Sequence, residues 1–401
     1  MQTTKLLTAS LATAVLLTAF VPDTLIKTAF KQAEQQAQRM LTDVALAATK
    51  PTGNKPALVS PRTLDKTGDL QLVPARDWTS GFFPGELWYL FEYTGKNEWK
   101  KQAQLLTAKL ESEKMNAGTH DMGFKLYCSF GNGYRLTRDP VYRDVLIQGA
   151  RTLTKRFKPT AGIIRSWDHH KEVWQCPVII DNMMNLELLF AATRLTGDST
   201  FYKIAVTHAR TTMKNHYRPD YSSYHVVDYD TLTGNVLKKN THQGFSDESA
   251  WARGQAWGLY GYTLCYRETK DPQFLTQAEA IANYMLNHPH MPADLVPYYD
   301  FDAPGIPNEP RDVSAAAVMA SALYELSTYK SDSPYRAKAD RILASLAKQY
   351  ASPVGKNHGF LLLHSTGAKT TEIDTPLIYA DYYYMEALLR AKKLNEKKPL
   401  F

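Results

Sequence analysis

Two aspartates stand where a carboxyl group could act as an acid. Asp181 follows the wholly apolar run Val178-Ile179-Ile180 and precedes Asn182. A carboxylate among apolar neighbours loses hydration of its charged form. Its pKa is therefore expected to rise toward that of a usable general acid. Asp121 follows His120. That neighbour, with Arg253 as a further candidate, is expected to keep Asp121 ionised, to orient a ligand or stabilise charge. The bland alternative is that both aspartates cap helices, the commonest use of Asp at a helix start. Asp247, Asp312 and Asp374 invite the same reading.

Around these two lie dense polar-aromatic clusters. Arg76-Asp77-Trp78 leads into Thr79-Ser80-Gly81-Phe82, and Thr119-His120-Asp121 into Met122-Gly123-Phe124. Arg165-Ser166-Trp167-Asp168 precedes the Asp181 segment. Thr241-His242-Gln243 is followed by Trp251, Arg253 and Trp257, then come Pro310-Arg311-Asp312 and Thr371-Glu372-Ile373-Asp374. Aromatic rings, carboxylates and arginine around one cup make a carbohydrate-like site. Each cluster also falls at the start of a predicted helix, where free N–H groups and partial positive charge favour an anionic ligand. His169-His170 is only superficially a metal pair, because neighbours in sequence face different ways. There is no HExxH, no Walker loop and no G-x-G-x-x-G before a helix. Gly131-Asn132-Gly133 falls inside a predicted helix, where close packing accounts for it. Trp88 reads as core.

The elements that must position these clusters recur. Tyr93-Thr94-Gly95-Lys96-Asn97-Glu98-Trp99 reappears as Leu136–Tyr142, Leu195–Phe201 and Glu268–Phe274, and more loosely as Ser327–Tyr335. From the second copy on, the closing aromatic returns about every 60 to 70 residues, the mark of a repeat architecture. Each copy has the chemistry of a helix-to-helix turn, ending one helix on Gly or a polar residue and capping the next with Asp, Asn or Ser. Before the marks lie apolar, aromatic-rich helices, predicted near Pro84–Tyr93, Asp121–Leu136, Asn182–Leu195, Glu248–Thr269, Val313–Thr328 and, sixth, Pro376–Leu389. After them come amphipathic helices such as Phe201–Asn215 and Pro272–Leu286. Buried and half-buried helices in alternation imply an inner and an outer ring. Six such pairs read as an all-α (α/α)6 toroid. An open solenoid is the alternative, but it has little use for inner helices this aromatic. In a closed ring with parallel inner helices, the clusters converge on one mouth. Tyr221–Lys239 reads instead as a β-hairpin around Gly234-Asn235, projecting over that mouth.

The composition agrees. The chain has 401 residues, 44% hydrophobic, with 7 Trp, 24 Tyr and 15 Phe, which excludes wholesale disorder. Length alone suggests two or three domains, whereas the repeat fills residues 23–401 as one. Three cysteines, Cys128, Cys176 and Cys265, cannot make a disulfide framework. Lys5 and the uncharged run Leu6–Phe20 read as a secretory leader over residues 1–22, so the protein is expected to be exported or periplasmic. That run is short for a membrane span. The net charge of +7 is compatible with an acidic partner.

Four stretches carry a resemblance. They are Asp77-Trp78-Thr79-Ser80-Gly81-Phe82-Phe83-Pro84-Gly85, His120-Asp121-Met122-Gly123-Phe124, Ile180-Asp181-Asn182-Met183-Met184-Asn185 and Ser249-Ala250-Trp251-Ala252-Arg253-Gly254-Gln255-Ala256-Trp257. From about Asp77 to the C-terminus the chain resembles the unsaturated glucuronyl hydrolases, glycoside hydrolase family 88, whose members are (α/α)6 barrels. The resemblance implies that Asp181 is the acid/base that protonates C4 of a 4,5-unsaturated uronic acid and then assists water at C5. It implies that Asp121 is the second essential carboxylate. It places His120, Trp78, Trp167, His225, Gln243, Arg253 and Trp257 at substrate-contacting positions, with His225 reaching over the mouth from the hairpin. It implies no metal and no cofactor. The implied substrates are acidic unsaturated oligosaccharides from chondroitin, hyaluronan or heparin, and neither nucleic acid nor a membrane is implied. Some members hold sulfated sugars through a Ser/Lys loop. Here that loop reads His364-Ser365-Thr366-Gly367-Ala368-Lys369-Thr370-Thr371, with Ser365 and Lys369 as the sulfate candidates. Three other readings stay open: an unsaturated galacturonyl hydrolase, an inverting glycosidase on the same ring, and a non-catalytic carbohydrate-binding ring.

Overall fold

The computed structural model of the chain describes residues 21–49, 56–368 and 370–401. Most of the leader segment and Lys369 lie outside these residues. The inner helices are α2 (Phe82–Thr94), α4, α6 (Asn182–Thr196), α8 (Ala252–Thr269), α10 (Val313–Tyr329) and α12 (Ile378–Asn395). Helix α4 is π-helical over Gly123–Gly131 and α-helical over Asn132–Thr137. Each inner helix packs on the next, and α12 returns to α2, so the ring closes. The reason lies in their composition. In α8 every residue from Ala252 to Cys265 is buried, and in α10 every residue from Val313 to Leu326. A helix buried on all sides must be surrounded by others.

The outer ring consists of α1 (Asp23–Ala48), α3 (Asn97–Ala108), α5 (Pro140–Thr154), α7 (Ser199–His216), α9 (Pro272–Asn287) and α11 (Tyr335–Ser345). The repeat left the sixth pair without an outer helix, and α1 supplies it by packing on α12 and α2. Phe30 stacks on Tyr93 with centroids 3.8 Å apart, and Gln36 Nε2 donates to Phe360 O at 2.7 Å. Val21, at the end of the leader segment, is buried here, and its carbonyl accepts from Asn395. Among the described residues no helix is long and apolar enough to cross a membrane.

The turns follow their chemistry. Gly95 and Gly197 take the left-handed conformation, at φ 70° and 74°, that ends α2 and α6. Asp139, Asp198 and Asp271 accept from the N–H groups of Val141, Thr200 and Gln273, which opens α5, α7 and α9. Trp88 is core, with Nε1 on Thr107 at 3.1 Å. A Cβ on Gly133 would sit 2.6 Å from the Tyr142 ring, so the glycine there is a matter of packing.

Two expectations are corrected. The fourth inner helix begins at Ala252 rather than Glu248, because Trp251 is extended and bridges Asp300. The hairpin does not project freely over the mouth. Strands β6 (Val226–Tyr229) and β7 (Val236–Asn240) do form it, but β6 also pairs with β5 (Pro177–Ile179). Just before this sheet β3 (Phe157–Lys158) pairs with β4 (Ile163–Ile164), and α7 pins both β4 and the sheet. His208 Nδ1 accepts from Ile164 N at 3.0 Å, and His216 Nε2 meets Val178 O at 3.1 Å. A second hairpin, β1 (Leu58–Leu64) with β2 (Leu70–Pro74), lies against the start of α12.

Two predictions concern this frame. Burial pushes both His208 and His216 from 6.5 down to about 3, so they stay neutral while the chain is folded. The unfolded chain binds those protons near pH 6.5. Their contribution to stability is therefore complete above that pH and is lost as pH drops toward 3. Urea unfolding across this range is expected to show the decline, with a shallower slope in His208→Gln. Gly81 has the carbonyls of Phe124 and Lys125 where a Cβ would stand. Gly81→Ala is expected to cost about 1–3 kcal/mol, read as a lower urea midpoint.

Candidate active site

A cavity of about 410 Å³ opens where the N-terminal ends of the inner helices meet. Its walls are Trp78 from the turn before α2, His120, Asp121 and Phe124 around the start of α4, and Ser166, Trp167 and His169 from the loop before β5. Ile179 and Asp181 come from the end of β5, His242 and Gln243 from beyond β7, and Arg253 from the first turn of α8. Gly367, Ala368, Glu372 and Tyr379 complete the ring before and within α12, with Arg62 reaching in from β1.

Asp181 directly follows the β5 run, and Val178, Ile179 and Ile180 are all buried, as expected. Asp181 stands before α6 but makes no cap hydrogen bond with its side chain. Its Oδ2 is buried without a hydrogen-bond partner among the described residues. His225 Nε2 faces that oxygen at 3.6 Å. The Nδ1 of His225 accepts from the backbone N–H groups of His242 and Gln243, both at 3.1 Å, so Nε2 carries the proton that points at Asp181.

Asp121 has a different setting. Burial alone would raise its pKa. The adjacent His120, the hydroxyl of Thr119 and the ammonium of Lys125 outweigh that and hold it below the ordinary carboxylate range. His120 Nε2 lies 3.1 Å from Oδ1, and Thr119 Oγ1 donates to Oδ2 at 2.7 Å. Asp121 is ionised at neutral pH, as expected, but Arg253 has no part in this. Arg253 instead pairs with Asp312 at 2.7 Å and donates to the carbonyls of Thr366 and Gly367, both at 2.6 Å.

Of the three further cap candidates, Asp247, Asp312 and Asp374, only Asp312 is a cap, accepting from Ser314 N at 3.1 Å. Asp247 instead accepts from Thr241 N, and Asp374 pairs with His364. Trp78 and Trp167 do face the cavity, and Trp167 stacks flat on His169 at 5.3 Å. Gln243 also lines it and donates to Gly367 O at 2.7 Å. Trp257 does not line it. It is fully buried against Phe124 and Tyr383, one layer below. His225 likewise sits behind Asp181 rather than over the mouth, because β5 holds its strand down. Ser365 is buried, paired to Thr375 through the backbone, and does not line the cavity.

Tyr379, His242 and Arg62 reach the cavity although sequence reasoning assigned them no role. Tyr379 is buried with its hydroxyl unpartnered among the described residues, as is Trp167 Nε1. Its place in the first turn of the sixth inner helix is the signal that could have found it. Arg62 lies in no motif and had none. Among the described residues no group of three or more His, Cys, Asp or Glu side chains is arranged to hold a metal ion.

The sequence pattern described as Glycosyl Hydrolase Family 88 matches residues 59–393. The chain is 52% identical over 328 residues to an unsaturated glucuronyl hydrolase of Formosa agariphila, covering 80% of this chain and 82% of that one. A crystal structure of an unsaturated glucuronyl hydrolase specific for heparin superposes with a TM-score of 0.87 at 47% identity, over 94% of this chain and 99% of that one. An Asp-to-Asn variant of the Streptococcus agalactiae unsaturated glucuronyl hydrolase, complexed with dGlcA-GalNAc6S, superposes with a TM-score of 0.75 at 29% identity, over 94% and 93% of the two chains. With the ring, the two unlike aspartates and these matches taken together, the chain belongs to glycosyl hydrolase family 88.

Proposed function

We propose that this protein hydrolyses oligosaccharides that end in a 4,5-unsaturated glucuronic acid, the ends that lyases leave on glycosaminoglycans. The observation that carries the reading is the pair of unlike carboxyl groups at one cavity. Asp181 has a buried oxygen with no hydrogen-bond partner among the described residues, whereas Asp121 is held ionised by His120 and Thr119. In this reading Asp181 gives its proton to C4 of the C4=C5 double bond. Positive charge develops at C5 and the ring oxygen, where the ionised Asp121 stabilises it. The Asp181 carboxylate then takes a proton from water as its oxygen bonds to C5. The product is a hemiketal that opens spontaneously. Opening leaves a hemiacetal at C1, which collapses and releases the neighbouring sugar. One residue is acid first and base second, and no displacement occurs at the anomeric carbon, unlike the ordinary glycosidase pair.

Both guanidiniums at the cavity already hold a carboxylate, Arg253 with Asp312 and Arg62 with Glu372 and Asp77. Binding of the sugar therefore falls to neutral donors, Trp167 Nε1 and the Tyr379 hydroxyl, and to the flat faces of Trp78 and Trp167. The +7 charge serves to attract polyanionic fragments from a distance. The heparin-specific relative puts unsaturated heparin disaccharides first among substrates to test. Lys5 and the apolar run after it support a periplasmic or exported location.

The wild type is expected to bleach the ultraviolet chromophore of an unsaturated glucuronyl disaccharide. Equal cleavage of saturated disaccharides would sink the hydration mechanism. Asp181→Asn is expected to lower kcat by about 100- to 10,000-fold while calorimetric affinity stays within a few-fold. An unchanged rate removes Asp181 from the acid role.

A further inference from the structure

One wall of the cavity comes from two segments far apart in sequence. Arg62, on β1, presents Nε to Glu372 Oε1 at 2.6 Å and Nη2 to Oε2 at 3.1 Å, a two-pronged pair. Its Nη1 reaches Asp77 Oδ2 at 3.0 Å, and its guanidinium lies 6.0 Å from the Trp78 ring centroid. The next residue, Thr63, donates to Pro376 O at 2.7 Å. The side chain so held lies against Gly367, where a Cβ would collide with Glu372 Oε2. Gly367 in turn offers its carbonyl to Arg253 and Gln243. Arg62, Glu372 and Gly367 thus form a continuous latch, and all three face the cavity. The latch sits at the open end. The side chains of Arg62 and its partner Asp77 are 22% and 21% exposed, and Ile373, beside Glu372, is exposed, whereas the Asp181 side chain is 10% exposed.

An enzyme that takes a terminal sugar to its closed end leaves the open end for the sugar that departs. We propose that Arg62 is a positioning residue that, through Glu372, sets the wall on which the leaving sugar rests and so determines which leaving sugars are accepted. The inference rests on the hydrolase reading above and concerns the same cavity. Lysine cannot replace Arg62, because an ammonium is a point charge and makes no two-pronged pair.

The test compares two substrates, an unsaturated glucuronyl disaccharide and the methyl glycoside of the same unsaturated sugar, which has no leaving sugar. Arg62→Ala, Arg62→Lys and Glu372→Gln are each expected to raise KM for the disaccharide about tenfold with kcat within about threefold. KM for the methyl glycoside should stay within about threefold. The Arg62→Ala/Glu372→Gln double variant should lose no more than Arg62→Ala alone, since both cut one latch. A variant that is merely less stable shifts both substrates alike. Equal shifts on the two substrates, or a loss confined to kcat, overturn the latch. If Arg62→Ala does not fold, Arg62→Lys and Glu372→Gln read the same ratio. A wild type that bleaches neither substrate overturns the hydrolase reading and the latch with it. A wild type that bleaches both while the variants shift them equally overturns the latch alone.

Discussion

Arg253 and Asp312 are both buried, and either one would be costly to bury alone. Together they tie three parts of the ring. One oxygen of Asp312 takes the guanidinium, and the other caps α10 through Ser314. The rest of the guanidinium holds the carbonyls of Thr366 and Gly367, the loop that leads to the last inner helix. The starts of α8, α10 and α12 are therefore set relative to one another by one ion pair. Removing one partner of such a pair typically costs about 3–5 kcal/mol. Here it would also free the loop that walls the cavity.

On the other side of the cavity the constraint is a short sheet. Strand β5 has only three residues, yet it places Ile179 and Asp181 at the cavity and pairs with the strand that follows His225. Two histidines of α7 hold the backbone around it. They work as neutral hydrogen-bonding groups, because burial keeps them uncharged. The acid/base candidate is thus placed by backbone pairing, and the ionised Asp121 by side-chain contacts. This division explains how two aspartates in one cavity have such different surroundings.

Much of this was legible in the sequence. The turns around Gly95, Asp139, Asp198 and Asp271 have local chemistry, so they announce themselves wherever they occur. Helices apolar on every side imply a closed ring for the same reason. Helix α1 was missed because no turn mark precedes it. The depth of His225 and Trp257 was missed too, since a motif orders residues along the chain but not by layer. His225 is buried because β5 covers its strand, and Trp257 because Phe124 lies above it.

The sequence by itself determined the six-fold alternation of helices, the gathering of polar clusters at helix starts, and Asp181 and Asp121 as the two carboxyl groups with unlike neighbours. These are local properties of spacing and of adjacent residue types. Only the tertiary structure decided that Arg253 serves Asp312 and the 366–367 loop rather than Asp121. It alone brought Arg62 to Glu372 across 310 positions. Such partners are chosen by packing of remote segments, and a buried charge goes to whichever counter-charge the fold delivers to it.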